Sequence, residues 1–116
     1  MSSQAETPDL DAAEIRAATA IVMPDLPEGW TVADVQVFPS AFGPSVEMQI
    51  RAEAFGEVSL FAVRPGSFDV VPTTLVRQEL LSAVYWQMGE VAYVLVANAD
   101  ARDLVDQANR LARSLY

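Results

Sequence analysis

The sequence predicts an α+β fold: an antiparallel sheet of five or six strands with an N-terminal helix and a C-terminal helix packed on it. Three observations lead there. Residues Ser45–Ala54 alternate, with Val46, Met48, Ile50 and Ala52 pointing one way and Glu47, Gln49, Arg51 and Glu53 the other. That pattern marks a strand with one face on a core and one in water. Short strand-like runs then recur through the middle of the chain, separated by Gly and Pro turns. Finally, Leu104, Val105, Ala108, Leu111, Ala112 and Leu115 form one stripe at helical spacing.

In chain order, residues 1–7 read as a disordered tail and 8–116 as one α+β domain, because a chain of 116 residues does not usually divide its core. Thr7-Pro8 opens a helix over 8–22, with Asp9, Asp11 and Glu14 suited to its positive end. Its inward face is read as Leu10, Ala13, Ala17, Ala20 and Ile21. Pro24–Gly29 is a loop. Thr31–Phe38 alternates weakly, with Val35 and Val37 against Asp34 and Gln36, and 39–44 is a second loop. Ser45–Ala54 and Glu57–Arg64 pair across Phe55-Gly56. Phe68–Pro72 is apolar and stopped by proline, and Thr73–Gln78 reads as a short strand. Leu81–Met88 and Val91–Ala97 form a hairpin around Gly89-Glu90. The final helix takes Asp100 as N-cap and Asp103 in its first turn, with Asp106 and Arg110 spaced as an ion pair.

Val91–Ala97 is apolar on both faces, so it is expected to be central and covered on both sides. The connector Phe68–Leu81 is longer and greasier than a plain link requires. It is expected to cover that second face. The sharper alternative leaves Phe68, Val70, Val71, Leu75 and Val76 exposed as a docking surface, either between two copies or for an envelope protein.

Composition excludes much chemistry. There is no cysteine and no histidine, which removes disulfides, the usual zinc sites, a cysteine nucleophile and a Ser-His-Asp triad. All seven basic residues are arginines, so no lysine is present for a Schiff base or a P-loop. The formal charge of −9 argues against nucleic acid and anionic lipid as partners. Hydrophobic residues make up 52% of the chain, yet runs such as Val91–Ala99 are strand length, short of the roughly 20 residues of a spanning helix. The polar, acidic N-terminus lacks the features of a signal peptide.

The carboxylate clusters Asp9/Asp11/Glu14 and Asp100/Asp103/Asp106 sit at helix starts, where capping and the helix dipole account for them. Neither fits a calcium loop. The glycines are scattered singly, and Ser45 has no histidine partner. Trp30, Tyr85, Trp86 and Tyr93 read as core aromatics rather than a pocket lining. The expectation is a protein without catalytic activity, metal or organic cofactor.

The order of motifs carries a resemblance. Gly43-Pro44 begins a strand, Leu60–Val63 runs into Arg64-Pro65, Tyr85-Trp86 lies in a strand, Gly89-Glu90 turns, Tyr93 follows, and Asp100 opens the last helix. Over about residues 26–116 this resembles the extracytoplasmic C-terminal domain of proteobacterial transmembrane anti-sigma factors. The turn departs from the Gly-Gly usual there, and the strand after it runs on through Val96-Ala97-Asn98. The resemblance implies a regulatory sensor domain on the periplasmic side of the inner membrane. It implies a sigma factor bound through an N-terminal module, and a membrane reached through an anchor helix, neither of which this sequence contains. It carries over no binding residue. On this view the chain is an excised part of such a protein or a stand-alone relative. The competing reading is a stand-alone α+β module binding protein or ligand with no sigma-factor link.

Overall fold

The computed structural model describes residues 12–41, 43–53, 55–78 and 81–115. Helix α1 (Ala12–Thr19) precedes six strands: β1 (Trp30–Ser40), β2 (Gly43–Ala52), β3 (Gly56–Val63), β4 (Asp69–Gln78), β5 (Leu81–Gly89) and β6 (Val91–Ala97). Helix α2 (Ala101–Arg113) follows. The strands form one sheet in the order β1-β2-β3-β6-β5-β4, and every neighbouring pair is antiparallel. This is the α+β architecture the alternation and the helical stripe predict. β6 lies inside the sheet, between β3 and β5, where its double-sided apolarity placed it.

The core lies between the sheet and the two helices. Met48, Leu60, Leu95 and Val84 form a row straight across four strands. Val46, Ala62, Tyr93 and Trp86 form the next. Leu104, Ala108 and Leu111 of α2 close over them, fully buried. Each such leucine, taken out of water, contributes about 1.5–3 kcal/mol. The Asp100 carboxylate caps α2 by accepting from the Arg102 amide at 2.9 Å. Asp106 and Arg110 do not pair, whereas Arg51–Glu57 and Arg64–Glu90 do.

Several expectations need correction. The residues expected to open α1, 8–11, lie outside the described residues. The helix ends at Thr19 rather than 22, because Ala20 adopts a left-handed φ of 61°. Among its residues of described burial, Ile15 and Thr19 face inward while Ala17 and Ala20 are exposed. Ile21, just past the helix, is buried as expected, and the side chains of Leu10 and Ala13 lie outside the described ones. Thr19 turns its hydroxyl back to the Ile15 carbonyl at 2.7 Å, so a polar residue is satisfied in the core. β1 continues through Pro39, which an edge strand tolerates because no amide is needed there. Residues 69–78 are one strand rather than two pieces; Pro72 sits where the register shifts between Val71 and Thr74. This strand does not cover the second face of β6. It extends the sheet as its edge, hydrogen-bonded to β5.

Candidate docking surface

As the edge of the sheet, β4 presents one side to a neighbour and one side to solvent. The register shift divides it. Val71 and Val76, opposite Gln87 and Ala83, belong to the face away from the helices. Leu75, opposite Val84, belongs to the helix-bearing face, as does Val70 beside Met88. The five proposed docking residues therefore wrap an edge instead of sharing one face. Phe68 is 75% exposed, Val70 64%, Val76 44% and Leu75 39%, whereas Val71 is half-buried. Leu81, at the start of β5, extends this exposed apolar set. The other edge strand, β1, exposes one large hydrophobic residue, Val37.

The middle of β4 is held by chemistry on both sides. Thr73 donates to the Asn109 side-chain oxygen of α2 at 2.6 Å. Beside it, Val70, Val71, Pro72, Trp86, Met88 and Ala112 line a groove of about 250 Å³. The groove is small compared with ordinary ligand sites, which begin near about 300 Å³. Gln87 is buried, donates to the Ser67 and Gly89 carbonyls, and accepts from the Tyr85 hydroxyl. These bonds fix the loop before β4 and so fix where Phe68 stands. Gly89 turns the β5–β6 hairpin with a φ of 74°, a conformation glycine adopts without strain.

The four aromatics separate. Trp86 and Tyr93 are core residues, stacked across the β5–β6 pair with ring centres 5.3 Å apart. Burial pushes the Tyr93 phenol up from 10.0 to about 12, and its hydroxyl donates to the Val22 carbonyl at 2.6 Å. Trp30 is half-buried against Phe55. Tyr85 departs from the expected core role, lying half-buried on the face away from the helices.

The residue that sequence reasoning passed over is Arg64, which it read only as half of an Arg-Pro pair. Its guanidinium donates to the carbonyls of Thr19 and Ala20 at 3.4 and 3.0 Å and meets Glu90 at 3.5 Å. It thereby caps the C-terminal end of α1 from the end of β3. Gly43, with φ 127°, leaves room for it: a Cβ there would stand 3.2 Å from Arg64 Cδ. The segment Ile21–Pro27 is fastened as well. Ile21 and Met23 are buried, Tyr93 holds Val22, and the Asp25 amide donates to Ser114 Oγ at 2.9 Å.

Of the acidic clusters, Asp9 and Asp11 lie outside the described residues. No group of three or more possible metal ligands occurs among the described residues, and no described helix is long and apolar enough to cross a membrane. No family model matches the chain, and no curated protein matches it. Among solved structures, a GTP binding regulator from Thermotoga maritima is similar over 73% of this chain and 78% of its own, at 13% identity and a TM-score of 0.49. That likeness is too slight to bear on function.

Proposed function

We propose that this chain is the non-enzymatic sensor domain of a membrane-anchored anti-sigma factor, acting on the periplasmic side of the inner membrane through a docking edge at β4. The observation that carries the docking part is the concentration of exposed Val70, Leu75 and Val76 on one edge strand, with Phe68 exposed just before it. An edge of this kind offers main-chain hydrogen bonds to an incoming strand and apolar side chains to hold it. The sigma-factor part is supported by the motif order. Arg64 caps α1, Gly89 turns the hairpin, Trp86 stacks on Tyr93, and Asp100 caps α2. The residues behind the resemblance thus hold structural positions that a relative of the same fold would also need.

The test is transcriptional. In the source organism, the coding segment for residues 12–115 is deleted in frame and promoter output is followed by RNA sequencing. The expected result is a changed set of genes sharing one promoter sequence. The same change should follow from Leu75→Lys, which alters the β4 edge without touching the buried core. An unchanged transcriptome after the deletion refutes the sigma-factor reading and leaves a binding module with no sigma link. An unchanged transcriptome after Leu75→Lys alone refutes the role of the edge.

A further inference from the structure

We propose that the face of the sheet away from α1 and α2 docks an amphipathic helix of a partner protein, apolar along one stripe and basic along one flank of it. This surface adjoins the β4 edge, sharing Val76 with it, and stands whether or not the sigma-factor reading holds.

Both described helices pack on one face, leaving Phe61, Val94, Val96 and Tyr85 half-buried on the other. The register fixes how this second face is laid out. One row runs Gln36, Glu47, Phe61, Val94, Tyr85 and Thr74 from β1 to β4. The next places Asp34 and Ser59 toward the β1 side of Val96, with Ala83 and Val76 beyond it. The face is therefore carboxylate-bearing over β1 and β2; over β3, β6 and β5 it is apolar at Phe61, Val94, Val96, Tyr85 and Ala83, with Ser59 and Glu57 polar on β3 and Gln87 on β5.

Width and charge select the occupant. Three adjacent strands span two inter-strand spacings, about 10 Å. That matches the diameter of one α-helix with its side chains, about 10–12 Å. A helix laid along β6 would bury its apolar stripe on Phe61, Val94, Val96 and Tyr85. One flank would then meet Glu47 and Gln49 of β2, with Asp34 one strand farther out, whereas the other would meet the uncharged Thr74 and Val76 of β4. The cation on this face, Arg51, is already engaged by Glu57 at 3.9 Å. Basic side chains on the first flank supply the missing charge. A second copy fits poorly. Its sheet would bring the same carboxylates, and the outer face of its α2 carries the exposed charges Arg102, Asp106 and Arg110 rather than an apolar stripe.

The probes are two synthetic helical peptides, each about five turns long. Both carry the same Leu stripe, flanked on one side by Lys in one peptide and by Glu in the other. Binding to the purified domain is read by fluorescence anisotropy of the labelled peptide. The Lys peptide is expected to bind at least about tenfold tighter than the Glu peptide, with the difference shrinking as salt rises. Phe61→Ser should weaken the Lys peptide about tenfold or more, as loss of a central aromatic anchor does. Glu47→Lys, a polar exchange on a partly exposed strand face, should reverse the preference between the peptides and keeps the test valid if Phe61→Ser fails to fold. Equal binding of the two peptides, or binding of neither, overturns the proposal. So does concentration-dependent dimerisation of the wild type through this face, abolished by Glu47→Lys, with no peptide bound.

Discussion

Tyr93 joins three parts of the molecule through one ring. It stacks on Trp86, lies in the β3–β6–β5 core row, and holds the Val22 carbonyl. Removing only the hydroxyl, in Tyr93→Phe, is expected to cost about 1 kcal/mol, the usual net worth of one hydrogen bond, read as a lower denaturant midpoint. The raised phenol pKa has its own signature. Between pH 10 and about 12 the folded state keeps a proton that the unfolded chain has released, so stability is full below pH 10 and falls as pH rises through 12. Tyr93→Phe should lack that alkaline decline; equal declines in both proteins would show that another group causes it. Arg64 makes a second residue-scale case. Arg64→Ala is expected to cost about 1–2 kcal/mol, because the carbonyls of Thr19 and Ala20 lose a charged donor. Amide exchange should rise in residues 14–22 first, and exchange that rises evenly over the sheet would argue against a local cap. Neither role was legible in the sequence, since each rests on partners far away in the chain and leaves no local pattern.

Among the elements, α2 and β2 were the most readable because their apolar spacing has a definite period. For α1 the same reasoning found the helix but turned Ala17 and Ala20, which are exposed, toward the core. Its alanines fit either environment, and a described length of eight residues leaves Ile15 as the informative apolar position. β4 was obscured by Pro72, which suggests a strand end unless the strand is known to be an edge with a shifted register. For α2, Asp100→Ala should cost about 1 kcal/mol through loss of the cap. Leu111→Asp should prevent folding, because a carboxylate forced into a fully buried position costs several kcal/mol, comparable with the stability of a whole domain at about 5–15 kcal/mol. Circular dichroism separates the two: a shifted melt for the first, no cooperative melt for the second. A native-like melt of Leu111→Asp would refute the packing of α2.

At the scale of the whole molecule, a charge of −9 opposes contact between copies, while the apolar edge at β4 favours it. High salt weakens the first effect and leaves the second. Sedimentation mass is therefore expected to rise with concentration in high salt, and Leu75→Lys should suppress the rise. A wild type that stays monomeric under those conditions shows that the edge does not join copies. The layout of the sheet was legible to the level of strand count and direction. The openness of its second face was not. The period-two pattern of β6 announces two apolar sides without saying whether this chain covers both.

The fastening of Ile21–Pro27 has a mechanical consequence. This segment has neither helix nor strand geometry, yet side chains just past β3, within β6 and just past α2 grip it or its junction with α1. Tension applied through α1 reaches these grips in chain order, first Arg64 on Thr19 and Ala20, then Tyr93 on Val22, then Ser114 on Asp25, with the buried Ile21 and Met23 between them. Attachments reached in series give way in turn, each exposing the next to the load, so the segment should lengthen in steps. A tether joined at this end would act as a graded device, yielding by stages as the force rises.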